Sequence, residues 1–449
     1  MLSRASQIAR RIEADVIRRG WPAGESLGSE QVLQQRYRAS RSVLREAVRL
    51  VEHHQVARMR RGPGGGLLIC EPDVGPATNA IVIYLEYLGT TIADLLDARL
   101  LFEPLAAALA AERIDEAGIG RLRTALPVTP AHKFHSALAE ESKNPVLQLF
   151  IDILMRLTAQ FARGSGVNDD ALDRTCAEHV DIVAAVTAGD VARAKTLSER
   201  HVESVTARLH HVTGRGGEDR EPAHAKRAEV LATVIRNDIA AGGWQVGSVF
   251  GTELQLLERY RVSRSVLREG VRLLEYHAVA RMRRGPGGGL VVTKPLAQAS
   301  IDTVALYLQY RKPNRDDFRS VRDVIEIDNV AKVVKRRDAA DVRAFLDAHR
   351  LVIDQADDDP RKAGMEEFLF HTGLAQLAGN TVLELFLRIL VELFRRQWTG
   401  TEQKSPSRGD LVEVQRAHLR VIEAIGEGDD SLARYRARRH LDAAASWWL

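Results

Sequence analysis

The 449-residue chain has two cysteines, Cys70 and Cys176. Two are too few for a disulfide framework or a Cys-based zinc site, and their scarcity fits a reducing cytoplasm. Aromatic residues make up only 5%, which together with abundant Ala, Leu, Arg and Glu favours helix over strand. No uncharged apolar run reaches the roughly 18 residues of a membrane-spanning helix. The first twenty residues hold Arg4, Arg10, Arg11, Arg18 and Arg19 without an apolar centre, so no signal peptide is expected. The expected location is therefore cytoplasmic, beside the nucleoid. No Ser/His/Asp or Cys/His arrangement stands out, and the Gly-Pro-Gly-Gly-Gly runs at 62–66 and 285–289 lack the Gly-Lys-Ser/Thr ending of a phosphate loop. An enzyme is not expected.

A chain of this length exceeds one hydrophobic core and predicts several domains. Its formal charge of +4 is unevenly spread. Residues 36 to 61 and 259 to 284 each hold eight Arg against two Glu, so each window carries +6 and the remainder −8. Charge gathered in two places marks two sites for a polyanion. The windows are also copies of one another. RYRASRSVLREAVRLVEHHQVARMRRGPGGG at 36 to 66 returns at 259 to 289 as RYRVSRSVLREGVRLLEYHAVARMRRGPGGG, identical at 26 of 31 positions with an offset of 223. The register extends to Trp21 and Trp244 upstream and to Arg99/Glu103 and Arg322/Glu326 downstream. The chain is thus a tandem duplication. Farther on, FHSALAEESKNPVL at 134 aligns with FHTGLAQLAGNTVL at 370 with an offset of 236, so copy one lacks 13 residues between about 113 and 130. That gap predicts the loss of a helix or most of one.

In copy one, Ser29 to Arg36 predicts a short helix, Tyr37 to Ala39 a turn, and Ser40 the cap of a helix running to about His53. Val43, Leu44, Ala47, Val48 and Val51 form its buried stripe, which leaves Arg41, Arg45 and Arg49 on the opposite face. Three guanidinium groups in line, with nothing on that face to relieve them, call for a polyanionic ligand. Val56 to Arg61 and Leu67 to Cys70 predict two strands joined by Gly62-Pro63-Gly64-Gly65-Gly66, a hairpin whose tip can lie against DNA. Such a helix fits the major groove, where Arg reads guanine, while Arg60 and Arg61 are placed to meet phosphate or the minor groove.

The Ser-Arg-Ser-Val-Leu-Arg-Glu-Ala run at 40 to 47, its copy from Ser263 to Gly270, and the VARMRRGPGGG hairpins resemble the winged helix-turn-helix of the GntR family of bacterial regulators. The resemblance implies that Arg41, Ser42, Arg45, Arg49, Arg60, Arg61 and Gly64 meet double-stranded operator DNA. Arg264, Ser265, Arg268, Arg272, Arg283, Arg284 and Gly287 would do the same in copy two. The fold class expected is mainly α: two winged helix-turn-helix domains, 1–75 and 226–298, each followed by an all-helical bundle, 76–211 and 299–449, with a linker at 212–225.

The helical parts hold histidines in register. Copy two has Glu367 and His371 four apart on one helix, then His418 and His440; copy one has His135, His179 and His201. Neutral imidazoles with a carboxylate suit a divalent transition metal, zinc or similar, with an open position. FHxxLxxxxxNxVL followed by a histidine pair resembles the FadR-type effector domain, FCD, of the same family. The resemblance implies a metal held by an acid and three histidines, with a small organic acid bound over it. Copy one has Ala131 at the acid position, so copy two is expected to sense and copy one to be weakened or structural. The reading is a DNA-binding regulator whose two units pair within one chain or by homodimerising. A metal-dependent enzyme and an effector-independent architectural DNA-binding protein are the alternatives.

Overall fold

A computed structural model describes residues 4–60, 62, 65–126, 132–162, 169–209, 227–354, 360–398 and 408–444. The expected linker, Arg61, Gly64 and Ala131 lie outside these. The chain forms two compact units, one of Met1–Tyr87 with Ala223–Lys312, the other of Leu88–Pro222 with Pro313–Leu449. Like elements of the two copies therefore associate. Among the described residues no helix is long and apolar enough to cross a membrane.

In the first unit each copy builds a winged head. Helices Arg4–Arg18, Glu30–Tyr37 and Arg41–His53 precede strands Ala57–Arg60 and Gly66–Ile69. The oxygens of Ser29 and Ser40 accept from the amides of Val32 and Val43 and start the second and third helices. Arg38, with φ of 49°, ends the second helix in the left-handed region and makes the turn. Ile8, Ile12 and Val16 close over Leu33, Leu44, Val51 and Leu67 to form the core. The wing is antiparallel, with Arg60 opposite Gly66 in copy one and Arg283 opposite Gly289 in copy two. Both glycines are required. Their φ values are 144° and 154°, and a Cβ would lie 2.7 Å from Gly28 O and 2.6 Å from Gly251 O. In copy two Val249–Gly251 joins the wing as a third strand.

The helices that follow the heads do not stay with their own copy. Leu306 and Tyr310, on the Ala297–Arg311 helix of copy two, pack into the core of head one. Ile83 and Tyr87, on the Val74–Tyr87 helix of copy one, pack into head two. Trp21 meets Tyr310 with ring centroids 5.5 Å apart, and Trp244 meets Tyr87 at 5.6 Å. These crossings move the boundaries to 87/88 and 312/313, beyond the 75/76 and 298/299 expected from sequence. Burial of aromatic side chains against the opposite head is the physical reason.

His277 caps the recognition helix of copy two. Burial, then Arg236 and His54, push it down to about 4. The folded head thus prefers the neutral ring, and the unfolded chain binds the proton more readily below the ordinary value of 6.5. The stability this contributes is fully present above about pH 6.5 and is lost as pH falls through about 4. Thermal unfolding should therefore lose more stability on acidification in the native chain than in His277→Gln. Parallel pH profiles for the two would contradict a buried neutral ring.

The second unit is helical throughout its described residues. Ile92–Arg113 in copy one packs on Val191–Leu209, Pro145–Ala162, His132–Glu141 and Asp169–Thr187. Arg315–Lys335 does the same in copy two with Asp430–Ala444, Pro360–Ala378, Thr381–Trp398 and Arg408–Glu427. Thr91/Asp94 and Asn314/Asp317 capping boxes start the two central helices. The copies meet through Phe150 and Phe386, stacked 3.9 Å apart at 12°. Asn144 and Asn380 donate from Nδ2 across the same junction to Asp317 O and Asp94 O, at 2.9 and 3.0 Å. The 13 residues missing from copy one do not delete a helix. Glu116–Ala125 stands where copy two has the longer Ala340–Asp354, and His132–Glu141 where copy two has Pro360–Ala378. Two helices are shortened instead, and both keep their packing partners: Glu116–Ala125 lies on His132–Glu141 and Asp169–Thr187 as Ala340–Asp354 lies on Pro360–Ala378 and Arg408–Glu427.

Candidate functional site

Leu44, Ala47, Val48 and Val51 are buried and Val43 half-buried, which turns Arg41, Ser42, Arg45 and Arg49 outward. Arg264, Ser265, Arg268 and Arg272 are exposed in the same way in head two, as are Arg60, Arg283, Arg284 and Gly287 on the wings. The arginine row is not unrelieved, as the sequence suggested. Glu30, on the preceding helix, accepts from Arg45 Nε at 2.9 Å and Arg41 Nε at 3.1 Å. These contacts, Arg45 first, hold the Glu30 carboxyl below its usual range. In head two Glu253 stands 4.0 Å from Arg264. A single carboxylate lowers the repulsion within the row and leaves the face net positive.

Other arginines of the two basic windows are structural. Arg36 donates to Leu27 O at 2.9 Å, and Arg259 pairs with Asp238 at 2.8 Å. Arg283 donates to Gly287 O at 2.7 Å and braces its own wing.

The histidines separated by 22 in sequence come together in both copies. In copy two, His371 Nε2 lies 3.1 Å from His440 Nε2, which lies 3.2 Å from His418 Nε2. Glu367 Oε1 is 3.1 Å from His371 Nε2 and 3.3 Å from His440 Nε2, and Oε2 is 2.9 Å from His418 Nε2. Sequence reasoning missed Glu326, whose carboxylate meets His371 Nδ1. That contact fixes the ring with Nδ1 toward Glu326 and Nε2 toward Glu367 and His440. Its trace in the sequence was the Arg-x-x-x-Glu pair kept in both copies.

The electrostatics follow from burial and proximity. Burial pushes Glu367 up, but His440, His371 and His418 together hold it well below the usual carboxylate range. Burial pushes His418 down to about 4, whereas Glu326 and Glu367 outweigh it at His371 and raise that ring to about 10. Glu367 Oε2 is buried without a satisfied hydrogen bond.

These four residues fit a divalent transition metal. Metal to ligand distances of about 2.0–2.1 Å give tetrahedral edges of roughly 3.3 Å; five contacts among these residues, through both oxygens of Glu367, run from 2.9 to 3.3 Å, and one ligand atom from each lies within 4.8 Å of the others. Val330, Phe370, Leu374 and Val421 wall a narrow cavity that opens on His371 and His440.

In copy one, His135, His179 and His201 also have ligand atoms within 4.8 Å of one another. Glu103 faces His135 Nδ1 at 2.9 Å and Glu178 faces His201 Nδ1 at 2.7 Å. Burial, with His135 next, pushes His179 down to about 2 and His201 to about 3. Two neutral imidazoles, His179 and His201, therefore stand beside His135. The acid position, Ala131, is outside the described residues.

Comparison with known proteins agrees with this anatomy. The FCD domain family matches residues 94–204 and 317–443, and the family described as bacterial regulatory proteins, gntR family, matches residues 4–66. The chain is 27% identical over 199 residues to the HTH-type transcriptional regulator LutR of Bacillus subtilis, which spans 40% of this chain and 90% of LutR. RmpR of Mycobacterium gastri, described as an HTH-type transcriptional regulator, is 26% identical over 220 residues, 45% of this chain and 78% of its own length. A solved structure of Streptococcus agalactiae GntR aligns at 22% identity and a TM-score of 0.35, covering 45% of this chain and 99% of that one. Two FCD domains in register behind duplicated winged heads make this chain a tandem member of the gntR family of bacterial transcriptional regulators.

Proposed function

We propose that one chain is a complete operator-binding unit. Each winged head would read one half of a pseudo-palindrome, and a small carboxylate effector in the FadR-type helical domain of copy two would modulate binding. The observation that carries this reading is the identity of the two exposed faces: Arg41, Ser42, Arg45 and Arg49 recur as Arg264, Ser265, Arg268 and Arg272, and both faces belong to one compact unit. Equal reading residues require equal half-sites. Association of a family dimer is then replaced by folding of one chain.

Glu367, His371, His418 and His440 would hold the metal, and Glu326 would orient His371. When bound, the metal would supply positive charge for the effector's carboxylate. The apolar wall beside it would set the size of effector admitted. His135, His179 and His201 offer copy one a weaker site, because imidazoles alone lack the carboxylate charge that Glu367 adds in copy two. Effector binding would act by its differential affinity for DNA-competent and DNA-incompetent arrangements.

The test is titration of the purified chain onto its own upstream promoter DNA at two salt concentrations, with and without zinc. One chain per site with a steep salt slope supports the reading; two chains per site would contradict it. Affinity indifferent to sequence, metal and organic acids would favour an architectural protein, and turnover of an organic acid would favour an enzyme. Arg60→Ala should reduce the slope of log affinity against log salt by about one counterion while leaving sequence preference intact. An unchanged slope would remove Arg60 from the phosphate contacts.

A further inference from the structure

We infer that the two copies have become complementary partners, built to pair with each other and not with themselves: charged pairs join the copies at places where each copy's own counterpart would not match. In the first unit, Arg236 of head two pairs at 3.3 Å with Glu86, which copy one contributes on its crossing helix, and both side chains are buried. The repeat places Glu13 opposite Arg236 and Gln309 opposite Glu86. A pair of first copies would therefore set Glu13 against Glu86, two carboxylates in a buried place. A pair of second copies would set Arg236 against Gln309 and leave a buried guanidinium without a counter-charge.

The same substitution pattern recurs twice. Arg10 of head one meets Asp302 of copy two at 2.6 Å, where the repeat has Thr233 and Asn79. In the second unit Lys332 of copy two meets Asp97 of copy one at 2.9 Å, where the repeat has Leu109 and Ser320. Neither like pairing could reproduce any of the three. The repeats match at 26 of 31 positions over the DNA-reading stretch, whereas all three of these pairs fall on positions where the repeats differ.

The energetic weight rests on one pair. Arg10 and Asp97 are half exposed, and exposed pairs contribute little. The Arg236–Glu86 pair is desolvated, and removing or reversing one member of a buried pair is strongly destabilising because the other charge is left behind. Glu13 is meanwhile satisfied inside its own head by His54 Nδ1 at 2.6 Å, so it makes no demand on the crossing helix. Specificity arises here as a difference between a matched pair and two mismatched ones. The partner that fits each crossing surface is the other copy of the repeat.

Intact-chain variants Glu86→Arg, Arg236→Glu and the double exchange test this directly. Each single change sets like charges together and should lower the melting temperature by several degrees, on the order expected for a few kcal/mol in a domain of this size. The double exchange should recover most of that loss. Additive losses would overturn the inference.

A second measurement reads the choice of partner. A protease site placed within residues 212–225 of the full chain is cut after folding, and the halves exchange partners in mild denaturant before native mass measurement. The ratio of unequal to like pairs should exceed its statistical value by more than about tenfold, since like-charge juxtaposition at an interface costs more than a tenfold ratio needs. Glu86→Arg should raise the share of first-half pairs, because position 86 then carries the charge opposite to Glu13. A statistical mixture from the native chain would overturn the inference. Should the halves not re-pair, the intact-chain cycle decides alone.

Discussion

Arg45→Ala combined with Arg268→Ala is expected to weaken operator binding by about 2–6 kcal/mol and to relax the base preference of both half-sites. Each arginine lies at the same place in its head, exposed on the recognition helix. A base-reading Arg contributes about 1–3 kcal/mol, and the two heads are separate enough for the losses to add. Competition binding against operators mutated in one half or in both is the measurement. Each single variant should tolerate a base change in either half, because the altered head can take that half, but not changes in both halves at once. A uniform loss across all sequences would mean that these arginines meet phosphate instead. Glu30 adds a refinement, because it holds Arg45 at 2.9 Å. Glu30→Gln should strengthen non-specific binding by unmasking charge, with a steeper salt slope.

His418→Ala is the second large effect. Loss of one of four ligands, with Glu367 then buried beside an empty place, should abolish metal uptake by copy two and leave whatever copy one holds. Elemental analysis of the purified chain reads the stoichiometry. Thermal unfolding reads the linkage: free metal at a hundredfold over its dissociation constant stabilises by about 2.7 kcal/mol, so chelator should lower the melting temperature of the native chain by more than that of the variant. An unchanged metal content would remove this assignment. Glu326→Gln separates holding from positioning. It keeps the hydrogen bond to His371 Nδ1 but not the charge, so affinity should fall by roughly 10–100-fold with stoichiometry retained.

The winged heads were legible because their signals are local. Ser40 caps the helix it was expected to cap, Ser29 caps the short helix it was expected to begin, the Val/Leu stripe is buried, and the two strands predicted to flank the Gly-rich run pair antiparallel. The histidine clusters were legible for a different reason: spacing retained through duplication implies a shared place in space, and His418 and His440 do meet. What escaped were contacts set by tertiary packing. Glu30 reaches Arg41 and Arg45 from another helix, and Glu326 reaches His371 from a helix 45 positions earlier in sequence. No period or cap encodes either. The crossing helices escaped too, since Val74–Tyr87 has the apolar pattern of a helix packed on its own bundle, and pattern does not say whose surface it covers. The 13-residue gap was visible, but its distribution over two shortened helices depends on which packing partners are kept.

Phe150 and Phe386 stack on one another at the junction of the two copies. In an assembly of identical chains such a residue meets its own image, so every change of ring size is made twice and at once, and most such changes overfill or empty the contact. Here the two rings are encoded separately. One can be enlarged and the other reduced in successive steps, each a small disturbance of packing. The pseudo-axis thereby becomes a place where inherited variation can accumulate one side at a time, a freedom closed to a symmetric dimer.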